Sequence, residues 1–366
     1  MIVSPRLGAR LALVLALVAD LFTFGVTPLG RGPSVASIQA ALAAQAQVTN
    51  EWLALDGVVG TAVGMNGPGN AVLTVYVTTL GLASLPQSVA GVPIRIEAIG
   101  RIKSLSDPPS DSRAGQSLDP GEMAHLGADS EGTATDVNRK ASFPRPVPIG
   151  VSIGHPDVTA GTIGARVTDG SRVFVLSNNH VLAANNLARQ GDNLLQPGVF
   201  DGGRDPEDAL ATLHDFEPIQ FCGGIVCPFN QMDAAVALAT TDDLGTGTPD
   251  DGYGTPRSGT IGAVLGMRVQ KYGRTTGHTI GRVTGINATL DVDYRGGRAR
   301  FKGQIVITSD GEFSTGGDSG SLIVTKGLLM GDRRPVGLLF AGSPTNTVAN
   351  PIDLVLDRFG VSIDGG

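Results

Sequence analysis

The chain of 366 residues is about twice an ordinary domain in length, with 41% hydrophobic and 17% charged residues, so it can bury more than one core and is too apolar for wholesale disorder. Glycine, at 52 residues, is about double the usual share, and with 22 prolines it points to short strands joined by tight turns and away from a helical bundle. The 27 basic and 34 acidic residues sum to −7, and no Lys/Arg cluster could neutralise a run of phosphates, so nucleic acid is not an expected partner.

At the N-terminus, Arg6 and Arg10 precede the apolar run of residues 11–19, the charge-then-apolar order of a secretory signal over residues 1–30. Asp20 interrupts that run and no clean A-x-A follows at the expected place, which leaves an uncleaved membrane anchor as the alternative, and a cytoplasmic chain if the segment is neither. Residues 34–104 read as a small α+β module. An Ala-rich helix over residues 34–48 has Ser34 or Ser37 as its cap, and β-patterned runs start at Gly57, Ala71 and Gly91. Alternation puts Val72, Thr74, Tyr76 and Thr78 on one strand face and Leu73, Val75 and Val77 on the other, as for a sheet packed on a helix. Gly57, Gly60 and Gly64 do not fall as G-x-G-x-x-G, and nothing in the module is catalytic.

Residues 105–146 lose apolar periodicity and fill with Pro, Gly, Ser, Asp and Glu, the composition of a flexible linker. Over residues 147–366, short β-patterned segments recur (GTIGARVT, RVFVLS, DAAVALA, RVQKYG, GRVTGI, ARFKGQIVIT, SLIVT, PVGLLFAG), with a helical stretch only at ANPIDLVLDRFG. The expectation is an all-β, barrel-type fold. Cys222 and Cys227, in FCGGIVC, read as a disulfide, since the two glycines let the chain turn back; structural zinc would need four ligands. A disulfide implies an oxidising compartment, so the chain is expected to be secreted or periplasmic.

His180 follows a strongly β-patterned run in VFVLSNNHVLAANN. Asp233 heads an apolar strand in NQMDAAVALA, where burial of a carboxylate requires a partner. Ser319 stands in GGDSGS, a tight turn whose amides can converge on one oxygen beside the hydroxyl. Together they supply a nucleophile, a base and an acid that orients the base. The order His, Asp, Ser, and Ser321 where a G-x-S-x-G around Ser319 would need glycine, set aside an α/β-hydrolase.

SNNHVLA, NQMDAAVA and STGGDSGSLIV, in that order, resemble the signature blocks of the trypsin-like (chymotrypsin-fold) serine peptidases, bacterial type, over roughly residues 148–362. The resemblance implies two antiparallel β-barrels, about 147–250 and 251–366, with the active site in the cleft between them. It also implies His180 as base and acid, Asp233 as its orienting partner and Ser319 as nucleophile, with Gly317 and Ser319 donating backbone N–H groups to the oxyanion. Phe313, six residues before the nucleophile, would be the base of the primary pocket, and Phe340 and Gly342 would lie on its wall, which favours apolar or small residues at the cleaved position. PVPIGVSIGHP offers no zymogen cleavage block, so Asp318 is expected to pair internally. His278 would either contact an acidic substrate side chain or hydrogen-bond a loop.

The resulting expectation is a serine endopeptidase acting through an acyl-enzyme on protein or peptide substrates. No metal site and no cofactor are expected, and a membrane is engaged only through an uncleaved anchor. The alternative is a catalytically blocked binding or scaffold protein on the same fold, with the N-terminal module as inhibitor or partner-binding domain. Oligomeric state and natural substrate are not readable from the chain.

Overall fold

The computed structural model describes residues 32–67, 69–81, 85–105, 137–224, 226–327 and 332–366. The signal or anchor read at residues 1–30 lies outside them, as do residues 106–136 of the expected linker. Strands dominate the described residues, as the glycine-rich, turn-punctuated sequence implies.

Ser34 starts the helix Val35–Trp52: its Oγ accepts the Ser37 N–H at 3.1 Å. An Ala-rich run has high helix propensity, but in a folded protein the packed face holds the helix in place. Ala41, Ala44 and Trp52 pack with Leu73, Val75 and Val77, one face of the strand Asn70–Val77. Tyr76, on the other face, joins Leu290, Phe301 and Phe340 in a separate cluster. The strand is therefore buried on both sides, because its outer partner is another part of the chain. Val58–Asn66 pairs antiparallel with Asn70–Val77 on one edge and with the strand Gly277–Tyr294 on the other, with Gly60 opposite Leu290 and Thr61 opposite Thr289. Val92–Ala98 extends the sheet in parallel beside Asn70–Val77.

Gly277–Tyr294 forms a long hairpin with Gly297–Thr308. From Gly297–Thr308 the pairing passes through Thr347–Pro351, Pro335–Gly342, Leu322–Thr325 and Arg268–Gly273, then back to Gly277–Tyr294. Val269, Val283, Ile307, Phe313, Ile323 and Leu339 form one cluster of this half. The earlier half is a sheet in the order Asn193–Leu195, Ala209–Phe216, Ala235–Ala239, Val173–Ser177, Ala165–Thr168 and Ser362–Ile363, with Ile163, Val175, Val181 and Leu213 among its buried side chains. Phe174, Leu176 and Val236 from this sheet meet Tyr272, Leu322 and Leu338 from the other in a shared cluster, which fixes the halves against each other. The helix Ile352–Phe359 closes over that seam with Ile352, Val355 and Leu356, spaced for one helical face.

Two features depart from the sequence reading. GRVTGI is not a strand of its own but the middle of Gly277–Tyr294, which stays continuous because the register shifts between residues 283 and 289 and Asn287 takes a φ of 51°. The strands Asn193–Leu195, Ala209–Phe216 and Thr347–Pro351 carry short or polar patterns that gave no alternation to read.

Gln45 ties the helix to that irregularity. Its Nε2 donates to the carbonyls of Asn287 (2.9 Å) and Thr61 (3.2 Å), and its Oε1 accepts from Asn287 Nδ2 at 3.0 Å. Gln45→Leu leaves those groups unmet, at about 1 to 3 kcal/mol. Amide exchange across residues 35–52 should quicken while residues 173–177 keep their protection; equal loss in both segments would show that the helix does not open separately.

Candidate active site

Asp233 sits just before the strand Ala235–Ala239, which pairs with Val173–Ser177 so that Ala235 faces Ser177. This register brings Asp233 beside the short helix Asn179–Leu182 that carries His180. Both side chains are fully buried. Asp233 Oδ2 lies 2.5 Å from His180 Nδ1, and Oδ1 accepts the His180 backbone N–H at 3.2 Å. A carboxylate without its proton only accepts, which would make Nδ1 the donor of this contact. Nε2 is buried and has no hydrogen-bond partner among the described residues.

A third bond reaches Asp233 Oδ2, from Tyr294 Oη at 2.8 Å. Burial, with the Asp233 charge beside it, holds the Tyr294 phenol far above its ordinary range, so it stays a donor. The Asp233 backbone is also clamped: Asn178 Nδ2 (2.7 Å) and Asn350 Nδ2 (3.0 Å) donate to its carbonyl, and its N–H donates to Asn350 Oδ1 at 3.1 Å. Asn350 and Tyr294 come from the second half of the molecule, Asn178 from the first. Neither Tyr294 nor Asn350 stood out in the sequence, where each is one polar residue at a strand end.

Ser319 is fully buried in the turn that follows Thr315. Gly317 and Gly320 both have φ near +93°, and a Cβ at Gly317 would stand 2.2 Å from Arg274 Nη1, while one at Gly320 would stand 2.1 Å from Ser177 Oγ. The turn is sewn to the first half by the Thr162 N–H donating to the Ser319 carbonyl (2.8 Å) and Thr162 Oγ1 donating to the Gly317 carbonyl (2.9 Å). Gly161 packs between the two site segments, since a Cβ there would be 2.5 Å from Val181 and 3.1 Å from the Ser319 carbonyl. Ser319 Oγ donates to the Phe340 carbonyl at 3.3 Å and not to His180. The structure thus brings His180 and Asp233 into contact, and Ser319 Oγ makes no hydrogen bond to His180. The Gly317 N–H is engaged as well: it donates to the Leu105 carbonyl at 2.5 Å.

Asp318 is paired internally. It accepts from the backbone N–H groups of Thr275, Thr276 and Thr315 and from Thr276 Oγ1, with the buried Lys271 ammonium 3.7 Å away. Burial draws the Lys271 pKa down while Asp318 pulls it back up. Arg274 is held by Asp201 through two 2.5 Å bonds, with both side chains almost fully buried. Asp201 also accepts from Ser152 Oγ at 2.6 Å. Lys271 and Arg274, in RVQKYGRTT, carried no sequence signal because the carboxylate each faces is distant in the chain.

Phe313 is buried in the second-half cluster, and its carbonyl accepts from Thr279 Oγ1 at 2.8 Å. The Phe340 ring points the other way, 4.8 Å from Phe301, so only its backbone faces the Ser319 hydroxyl. Gly342 continues the same strand edge. His278 Nε2 lies 2.9 Å from Gln270 Oε1, and burial followed by repulsion from Lys326 and Lys271 lowers its pKa. Cys222 and Cys227 are joined as a disulfide at the tip of the long hairpin, where the Cys222 N–H donates to the Arg298 carbonyl. Among the described residues there is no His/Cys/Asp/Glu group that could hold a metal, and no helix is long and apolar enough to cross a membrane.

The family model of the Nal1 C-terminal domain matches residues 216–350, a span that contains Asp233 and Ser319 but not His180. Protein NARROW LEAF 1 of Oryza sativa subsp. japonica is 28% identical over 203 residues, which covers 50% of this chain and 34% of that protein. The chain therefore spans about a third of the length of that relative. Among solved structures, Protease A of Thermobifida fusca is 20% identical with a TM-score of 0.42, covering 60% of this chain and 99% of that one. A chymotrypsin from Cellulomonas bogoriensis is 17% identical with a TM-score of 0.39, covering 60% and 99%. A serine protease described as specific for glutamic acid and as using a histidine triad in substrate binding is 18% identical with a TM-score of 0.41, covering 59% and 100%.

Removing Arg274 leaves the Asp201 carboxylate buried without its counter-charge, a loss of about 3 to 5 kcal/mol. Arg274→Ala should lower the urea midpoint accordingly, and the double variant Arg274→Met with Asp201→Leu should recover most of it. A single variant with wild-type stability would refute the pair's role in holding the turn.

Proposed function

We propose that the protein is a serine peptidase with two β-barrels, about 147–250 and 251–366, that hydrolyses peptide bonds in a cleft between them. The observation that carries this reading is the buried His180–Asp233 pair with its unbonded Nε2, at a seam shared with the glycine turn of Ser319. In the reaction Ser319 Oγ leaves the Phe340 carbonyl and hydrogen-bonds to His180 Nε2. His180 then takes the hydroxyl proton as Oγ attacks the substrate carbonyl, and Asp233 stabilises the imidazolium that forms. The N–H groups of Gly317 and Ser319 hold the developing oxyanion; a donor of this kind is worth roughly 2.7 to 4 kcal/mol in the transition state. The same imidazolium returns its proton to the departing amine, and water resolves the acyl-enzyme.

Phe313, Gly342 and the backbone of Phe340 form the substrate side of this cleft, and the residue they accept is apolar. The Cys222–Cys227 disulfide supports an exported protein working in an oxidising compartment. A second reading, a binding protein on the same fold without turnover, is favoured by two observations: Ser319 Oγ is tied to Phe340, and the Gly317 N–H is already occupied.

Prolonged incubation of the full chain with a fluorophosphonate separates the two readings. Peptide mapping should find one adduct, on Ser319, absent from Ser319→Ala and from heat-unfolded protein. His180→Ala should label about 10²- to 10⁴-fold more slowly, the usual contribution of a general base. Labelling of unfolded and native chains at one rate would sink the peptidase reading.

A further inference from the structure

The segment that leads into the expected linker is bound like a peptide along the site. Lys103 and Ser104 pair antiparallel with Gly342 and Ala341 on the edge of the strand Pro335–Gly342. Leu105 follows in the same register: its N–H donates to the Phe340 carbonyl at 3.3 Å, and its own carbonyl accepts the Gly317 N–H at 2.5 Å. An added strand of this kind is recognised by its backbone, and its side chains supply specificity. The Leu105 side chain is half-buried against the cluster that contains Phe313, and a Cβ at Gly342 would stand 3.4 Å from its Cδ1, so the glycine leaves the space it fills. Ile102 anchors the segment from behind. It is buried in one cluster with Phe340 and Tyr294 and pairs in parallel with Val292, and Arg101 reaches Asp293 at 3.2 Å.

Resting on the peptidase reading above, we propose that Lys103–Leu105 is the protein's own first substrate. The peptide bond on the C-terminal side of Leu105 is cut in cis, and the new C-terminus at Leu105 remains as a plug on the acyl side of the cleft. The carbonyl carbon of Leu105 is the electrophile, and the Gly317 N–H polarises its oxygen. Ser319 Oγ bonds to that carbon and its proton passes to His180 Nε2. The C–N bond breaks, the amine of the following residue leaves with that proton, and one water converts the ester to the Leu105 carboxylate and restores Ser319. The same contacts define the substrate class: extended peptides with a Leu-sized aliphatic side chain before the cut bond, since Leu105 packs against an apolar cluster in the space that Gly342 leaves.

The test uses the full chain as wild type, Ser319→Ala and Leu105→Asp. Mass analysis with C-terminal mapping should find wild type cut after Leu105, at a first-order rate unchanged over a hundredfold dilution, while Ser319→Ala stays whole. Leu105→Asp should lose that cut by at least a hundredfold and label with a fluorophosphonate at least tenfold faster than wild type, because the plug no longer holds. It should also cleave acetyl-Lys-Ser-Leu-anilide in preference to the Glu analogue. A wild-type chain that stays whole while Ser319 labels readily overturns this proposal and leaves the peptidase reading standing. A cut that persists in Ser319→Ala, or that slows with dilution, also overturns it. Failure of both wild type and Leu105→Asp to label removes the peptidase reading, and this proposal with it.

Discussion

The site is organised around one buried carboxylate. Asp233 has no access to water, and an isolated charge in that position would cost far more than the fold could tolerate. Its two oxygens are met by His180 Nδ1, the His180 backbone and Tyr294 Oη, and its peptide groups by Asn178 and Asn350. These donors come from both halves of the molecule, so satisfying the carboxylate also fixes the position of one half on the other. The imidazole is oriented as a by-product of that satisfaction, with its second nitrogen left unbonded.

A similar economy governs the long hairpin. Gly277–Tyr294 pairs with Arg268–Gly273 near its start, delivers Tyr294 to Asp233 at its end, and in between accepts Val58–Asn66 as a neighbour. The N-terminal helix and strands are thus continuous with the sheet that carries the site, and the chain leaving Val92–Ala98 runs through Ile102 to Leu105, which bonds to Phe340 and Gly317. Geometry at the edge of Pro335–Gly342 and geometry at the N-terminal sheet are coupled by a single short stretch of backbone.

How much of this could be read in advance depended on the range of each interaction. The β character of residues 147–366 was legible because it rests on local alternation and turn residues. His180, Asp233 and Ser319 stand out in the sequence because each lies in a short run whose composition is odd for its setting: a histidine after a buried strand, a carboxylate heading an apolar one, a serine among glycines. Asn350, Tyr294, Lys271 and Arg274 were not, since nothing local marks a polar residue whose partner lies tens of residues away. The long hairpin was read as fragments because Gly285 and Asn287 look like turn residues, when in fact they bend one strand. Most consequentially, IKSL at the start of the expected linker shows only a weak apolar pattern, and its place beside Phe340 and Gly317 is set by backbone hydrogen bonds that carry no sequence signature.

The most direct test of the account is the proton between His180 and Asp233. NMR of the native full chain should show a strongly deshielded imidazole N–H resonance, well downfield of the amides. It should be lost in Asp233→Asn and in His180→Ala and kept in Ser319→Ala, because the pair exists independently of the serine. Absence of that resonance in folded wild-type protein, or its survival in Asp233→Asn, would contradict the claim that the buried carboxylate organises the site.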